Sequence, residues 1–277
     1  MIKNENEKLK IGRISYLNLY PVFYGLEKTL RDKGRYLFFD GYPALVNAEL
    51  RSGGVDASPS SSIVYLKNPE DFSLIEGHSI SADGPIRSIY LFSRHPIEKL
   101  GGRTIGVTNQ TETSAALLQI TLKKFYGLDF EPRVTALSPA RSVGRFGACL
   151  AIGDDAMRAR KKFGEGAGGG GRLLVYDLGE IWREKTGLPF VFALWIARKD
   201  QMTRKKRAFE QFRRDLDRAK AYALSHFGEA ARRQPVKELG EREVIEYWKG
   251  ISYGLGAPEK KGLRLFRKYA AELGLLG

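Results

Sequence analysis

Cysteine is almost absent from this 277-residue chain, with Cys149 the single example. One thiol forms no internal disulfide, which fits a reducing compartment. Histidine is nearly as scarce, and His78, His95 and His226 are scattered without the paired spacing of a zinc site. No apolar run approaches the length of a membrane span. Met1 to Lys10 is polar and charged. The apolar stretch after it is short and broken by Arg13 and Asn18, so it reads as neither a signal peptide nor a membrane segment. A Walker A sequence and a nucleophile elbow are also missing. The run Gly164-Glu165-Gly166-Ala167-Gly168-Gly169 has the spacing of a dinucleotide fingerprint, but it follows a basic helical stretch and precedes a strand. A phosphate-cradling turn needs the strand before and the helix after, so the run reads as a surface loop.

What the chain does have is positive charge: 46 Lys and Arg against 32 Asp and Glu, a formal net charge of +14. Such a surplus raises nucleic acid, a membrane surface or an acidic substrate as partners. Much of it lies in one region around Arg198, Lys199, Arg204, Lys205, Lys206, Arg207, Arg213 and Arg214, where Asp200, Glu210, Asp215 and Asp217 are interleaved and Phe209, Phe212 and Leu216 keep one apolar face. That is the pattern of a solvated amphipathic helix. No helix-turn-helix, zinc finger or aromatic RNA-binding motif accompanies the charge, so neither nucleic acid nor membrane is expected as a partner. A field of this sign still attracts a multiply charged small anion.

Short apolar strand candidates alternate with helical patterns, which predicts parallel βα units. Strands are expected at 9–16, 36–39, 55–58, 74–80 and 87–93, then again at 104–107, 133–137, 148–152, 173–176 and 190–197. Asn18 stands where a cap would precede a helix with Pro21 in its first turn, and Gly53 and Gly54 stop a helix over 44–51. From residue 201 onward the pattern is helical. One strand set, a second set and a return predict an α/β, two-lobed type II periplasmic-binding-protein-like fold with mixed sheets and an interlobe cleft. The expected division is 1–93 with 198–277, against 94–197.

Hydroxyl-rich and amide-rich turns stand at the strand-to-helix junctions: Ser15 to Asn18, Ser58 to Ser62, Thr108 to Ser114, and Gly153 with Asp154. In an α/β sheet ligands collect at the carboxyl ends of strands, where free backbone N–H groups bind carboxylates. Each turn alone is also what a helix cap looks like. Several of them, spread over both halves, favour a shared anion site that includes Ser15 and Asp154.

Four blocks carry a resemblance. Ile11-Gly12-Arg13-Ile14-Ser15-Tyr16-Leu17-Asn18 with Pro21 resembles the opening signature of the chorismate dehydratases, which begin the futalosine route to menaquinone. Ser81 to Ser93, Ile152 to Ala156, and Tyr176 to Trp182 continuing through Thr186 to Trp195 resemble further blocks of that family, in order. The resemblance implies the two-lobed fold, a cytoplasmic lyase without a cofactor, chorismate as substrate, and 3-[(1-carboxyvinyl)oxy]benzoate as product. Asn18 and Ser88 match positions the family places beside the substrate, and Ser60, Ser61, Thr111 and Ser114 match its anion-binding turns. Leu19 departs from a frequent Thr, Val64 from a common acidic residue, and the Gly164–Gly171 stretch resembles an insertion. No histidine stands in a matching motif, so the base is either Asp154 or a carboxylate of the substrate's own side chain. The sibling dihydroxynaphthoate synthases usually open on a Ser-Pro-Cys-Pro-Asn type motif and carry a histidine base. Neither is seen here, and a non-catalytic anion-binding protein is the remaining alternative.

Overall fold

A computed structural model describes residues 8–164 and 173–277. The glycine run beyond Gly164 and the first seven residues lie outside the described residues. Along the chain come β1 (Leu9–Ile14), α1 (Tyr20–Thr29), β2 (Tyr36–Gly41), α2 (Pro43–Ser52), β3 (Ala57–Ser61), α3 (Ser62–Lys67) and β4 (Phe72–Ala82). There follow β5 (Ile89–Ser93), β6 (Thr104–Thr108), α4 (Thr113–Ile120), β7 (Glu131–Thr135), α5 (Pro139–Phe146), β8 (Ala148–Ile152), α6 (Gly153–Gly164), β9 (Leu174–Asp177), α7 (Leu178–Thr186) and β10 (Phe190–Arg198). Five helices finish the chain: α8 (Lys199–Arg204), α9 (Lys206–Ser225), α10 (Phe227–Arg233), α11 (Glu241–Lys249) and α12 (Ala257–Glu272).

These elements form two compact units, Met1–Ile80 with Phe192–Gly256, and Ser81–Val191 with Ala257–Gly277. Each holds one five-stranded mixed sheet. The first has the order β2-β1-β3-β10-β4 and the second β7-β6-β8-β5-β9. The plan is the same in both. Three parallel strands, with the first in chain order at their centre, are joined by helical crossovers, and an antiparallel strand (β10 or β5) closes on the third.

In the first unit the α9 stripe Phe209, Phe212, Leu216, Ala219 and Ala223 is buried at helical spacing, while Arg213 and Arg214 are exposed. Phe212 packs edge-on against Tyr36 at 5.0 Å and tilted against Trp195 at 5.8 Å. The basic run is therefore the solvated face of a core helix, as its periodicity predicts. Asp215 departs from that pattern, being fully buried. It accepts from the Tyr36 hydroxyl at 2.5 Å and Gln211 Nε2 at 2.9 Å, with Arg35 at 3.4 Å and Arg218 also on it. A buried carboxylate persists only with such a complement of donors. Gly25 lets α1 and α9 approach closely, because a Cβ there would lie 2.2 Å from the Ala219 carbonyl oxygen.

His78 on β4 is 2% exposed, with Nε2 3.1 Å from Asp217 Oδ1. Burial, then the charges of Lys220 and Arg213, push its pKa from 6.5 down to about 4, against the pull of Asp217. Lys220 itself donates to the Gly77 carbonyl at 2.8 Å. The unfolded chain therefore binds this proton more readily than the folded one, so stability present above pH 6.5 is lost as pH falls toward 4. We expect a loss of about 3 kcal/mol across that window from this group. His78→Gln should flatten the slope of unfolding free energy with pH there, measured by urea denaturation. An unchanged slope would assign the acid sensitivity elsewhere.

The second unit is centred on Trp182, fully buried and ringed by Phe190 at 4.9 Å, Phe125 at 6.0 Å, Tyr269 at 6.1 Å and Phe266 at 6.4 Å. Tyr269 and Phe266 come from α12. Gly262 on the same helix sits where a Cβ would meet the Pro189 carbonyl oxygen at 1.9 Å. The C-terminal helix thus packs with the second unit, whereas the division expected from the sequence places it with the first. The boundaries also fall after Ile80 and Val191, not after Ser93 and Ala197. β4 and β10 each run across a boundary, so apolar strand pattern alone gives no break there.

Candidate active site

In the first unit β1 ends at Ile14 and the chain turns through Ser15, which is exposed, to Asn18, which is half-buried. Leu19 holds the capping position of α1, and no side chain caps it, so Asn18 is not the helix cap its position suggests. The turn is held from beneath instead. Leu17 is fully buried and its carbonyl accepts from Trp248 Nε1 at 2.7 Å. The indole of Trp248 stacks on Tyr20 with ring centroids 6.1 Å apart. Asn18 Oδ1, in this turn, is buried and has no hydrogen-bond partner among the described residues. An amide oxygen left that way costs about 1–3 kcal/mol, and a ligand donor would recover it.

Ser60 and Ser61 lie on β3, one strand away from β1 at its carboxyl end. They close the strand, and Ser61 also holds the N-cap position of α3, so they stand at the strand-to-helix junction that the sequence suggests. Ser60 is fully buried and donates to Asn47 Oδ1 at 2.5 Å, while Asn47 Nδ2 donates to Ser61 Oγ at 3.5 Å. Asn47 thereby orders both hydroxyls, leaving Ser61 as the partly exposed one. The residue escaped the sequence reading, although an amide on the face of α2 made by Pro43, Val46 and Leu50 was the available signal. Gly12 allows α2 this approach, since a Cβ there would lie 2.5 Å from Val46 Cγ1.

In the second unit Ser88, 1% exposed, immediately precedes β5. Its carbonyl accepts from Gly153 N at 2.7 Å, which ties it to the first residue of α6. Asp154 follows in the first turn of α6 and is half-buried, a position the helix dipole favours for a carboxylate. Thr111 and Ser114 begin α4 beyond β6, the neighbour of β8. Thr111 Oγ1 accepts from Ser114 N at 3.2 Å, so this pair is at least a local cap. The four residues thus stand at the β6 and β8 carboxyl ends and the β5 start, at one end of the sheet.

Asp177 holds the segment that leads into Ser88, and it was read from the sequence only as part of a longer block. Its carboxylate caps α7 by accepting from Gly179 N at 2.9 Å and Glu180 N at 3.2 Å. It also takes Ile86 N at 3.1 Å and Arg87 N at 2.6 Å, from the segment just before Ser88. Burial raises the Asp177 pKa, and the four backbone donors oppose that shift. Held this way, Arg87 adopts φ 61°, the left-handed region that a non-glycine residue rarely enters. A Cβ on Gly179 would meet the Gly84 carbonyl oxygen at 2.7 Å, so the contact requires glycine. Cys149 takes no part: burial pushes its thiol up to about 12. Among the described residues no group of three or more His, Cys, Asp or Glu is placed to hold a metal ion, and no helix is long and apolar enough to cross a membrane.

The chain is similar to several known proteins. A chorismate dehydratase of Thermus thermophilus is 30% identical over 283 residues, covering 96% of this chain and 95% of the relative. A 1,4-dihydroxy-6-naphtoate synthase of the same organism is 28% identical over 65% of this chain and 64% of its own length. Among solved structures, a protein of Archaeoglobus fulgidus superposes with a TM-score of 0.80 at 16% identity, covering 98% of this chain and all of its own. The alkanesulfonate-binding protein SsuA of Xanthomonas axonopodis superposes with a TM-score of 0.70 at 17% identity, over 99% of this chain and 96% of its own. These likenesses show the fold, that of the periplasmic binding proteins, as the strand pattern predicts. A family model described as menaquinone biosynthesis matches residues 9–272. Spanned by that match and by a full-length relative at 30% identity, the chain belongs to the menaquinone biosynthesis family.

Proposed function

We propose that this protein is a cytoplasmic chorismate dehydratase, a carbon–oxygen lyase that converts chorismate to 3-[(1-carboxyvinyl)oxy]benzoate and water, the opening step of the futalosine route to menaquinone. The observation that carries this reading is the end-to-end match to a curated chorismate dehydratase. The match to the naphthoate synthase stops at about two thirds of either chain, which favours the dehydratase over its sibling.

The chemistry asks little of the protein. The ring proton on the ether-bearing carbon is vinylogously conjugated with the ring carboxylate, and the adjacent carbon carries the leaving hydroxyl. As that proton leaves, its C–H electron pair becomes the new ring double bond, hydroxide departs, and the ring becomes aromatic. The elimination moves no electrons to or from an outside partner. The protein must hold two carboxylates and align the base and the leaving group, and positioning of this kind supplies several kcal/mol.

In this reading the Asn18 amide orients the ring or its leaving hydroxyl, and Ser88 lies beside the substrate. Ser15, Ser61, Thr111 and Ser114, with helix-start amides, bind the carboxylates, and Ser60 supports Ser61 through Asn47. The base is either Asp154 or the substrate's own enolpyruvyl carboxylate, and the latter suits a set so poor in titratable groups. The test is to incubate chelator-treated protein with chorismate and follow products by chromatography and mass. Loss of one water to the enolpyruvyl-oxybenzoate supports the reading. Unchanged chorismate beside a folded protein overturns it.

A further inference from the structure

We infer that the second unit carries an anion site for a multiply charged phosphate group, at the opposite end of its sheet from Thr111 and Asp154. The site is an open hollow of about 450 Å³ lined by Arg103, Thr104, Arg133, Arg145 and Phe146. Arg103 and Thr104 stand at the amino end of β6, and Phe146 ends α5 just before β8 begins. Thr111 and Asp154 instead follow the carboxyl ends of those two strands. The inference does not depend on the proposed dehydratase activity.

The sequence builds the hollow from a missing side chain. Gly106 on β6 faces α5, and a Cβ there would lie 2.1 Å from Ser142 Oγ and 2.8 Å from Phe146 Cδ2. Without it α5 settles onto the strand and brings Phe146 and Arg145 down to the sheet. Arg133 is the register partner of Gly106 on β7, so its side chain leaves the sheet on the same face.

Three guanidinium groups therefore share one hollow, and two of them are ordered without being neutralised. Arg103 Nε donates to the Lys99 carbonyl at 2.8 Å, leaving its terminal nitrogens for another acceptor. The Arg145 guanidinium lies 5.4 Å from the centre of the Phe146 ring. Neither meets a carboxylate among the described residues. Glu131, the nearby acid, is already engaged, with Oε1 on Arg133 at 2.6 Å and Oε2 on the Thr104 hydroxyl at 3.0 Å.

A hollow in the first unit shows what a balanced surface looks like. It measures about 520 Å³ and combines Arg51, Arg198 and Lys199 with Glu70, Asp71 and Asp200. Arg198 there is paired to Asp200 at 3.1 and 3.3 Å. The β6–β7 hollow lacks that compensation. A monocarboxylate is satisfied by a single guanidinium fork, whereas a pyrophosphate-type group has enough charge and acceptor oxygens to engage several. Part of the net charge of +14 thereby acquires a role that a dianionic substrate does not supply.

Isothermal titration with sodium pyrophosphate, at an ionic strength held constant with sodium chloride, tests the site. Saturable binding at one site per chain is expected, and the Arg103→Gln/Arg145→Gln variant should weaken it about tenfold or more. Lys206→Gln/Arg207→Gln, an equal loss of charge on α9, should leave it unchanged. Adenosine diphosphate in a parallel titration separates the sources. Binding as tight as pyrophosphate supports an organic phosphate, and its exclusion supports the inorganic ion. Heat no different from the chloride control, or an equal loss in the α9 variant, would overturn the site in favour of a general basic surface.

Discussion

An Asn18→Ala enzyme is expected to turn over chorismate about 10²-fold more slowly while melting at the wild-type temperature or slightly above it. The two halves of that expectation have one cause. Asn18 Oδ1 is buried without a partner among the described residues, so in the free protein it destabilises the fold, and its removal relieves a desolvation cost. Its value is realised only when a ligand supplies the donor. A residue conserving structure would behave in the opposite way, because deletion of a satisfied cap lowers stability. The turn itself remains in place, since Trp248 holds the Leu17 carbonyl and not the Asn18 side chain. Ser88→Ala should lose turnover alongside it. Asp154→Asn decides the base: near-normal turnover excludes an essential carboxylate at 154 and leaves the substrate's own. Turnover within a factor of a few of wild type in Asn18→Ala would remove this residue from the proposed site.

Asp177 is expected to give the largest loss of stability. Asp177→Ala strips the acceptor from four backbone N–H groups at once, two at the start of α7 and two before Ser88. With water recovering some of them, the cost is about 3–5 kcal/mol, or a fall in melting temperature on the order of 10 °C. Asp177→Asn is the sharper probe. Oδ1 takes the donors of Ile86, Gly179 and Glu180, whereas Oδ2 takes Arg87 alone. An asparagine that keeps its oxygen on the three donors turns its NH₂ toward the Arg87 N–H, donor against donor. Most of the α7 cap survives, but Arg87 loses what holds it at φ 61°, and the chain leading into Ser88 keeps only the tie of the Ser88 carbonyl to Gly153 N. We therefore expect a modest change in melting temperature with a clear fall in kcat, checked by calorimetry and by product formation. Arg87→Gly in the Asp177→Asn background should recover part of the rate, because glycine adopts that φ without cost. Failure of this rescue, with the fold intact, would mean that Asp177 does not act through Arg87.

Much of the architecture was legible in the residues. The alternation of short apolar runs with helical periods placed every strand of both sheets to within a few residues, and the α9 stripe was readable from Phe209, Phe212 and Leu216. Gly53 terminates α2 in the left-handed conformation, as a helix C-cap glycine does. The strand pattern did not announce α5 or α7, although Pro139 with Gly147, and Asp177 with Gly187, bracket them. Hydroxyls at strand ends marked the two sets of candidate residues correctly as neighbours of β1, β3, β6 and β8. The pattern did not separate a hydroxyl engaged in the interior, such as Ser60, from one left partly exposed, such as Ser61.

The sequence by itself determined the class of fold, the strand and helix content, the family and the residue types offered at the strand ends. These follow from preferences that act over a few residues: side-chain alternation, helical period, capping and turn chemistry. Only the tertiary structure decided that Asp215 is buried, that α12 closes the second unit, and which supports fix the candidate residues. Trp248 reaches the Leu17 carbonyl across 231 positions and Asp177 reaches Ile86 across 91. Such partners are selected by packing and by the need to satisfy each buried polar group, which no local pattern encodes.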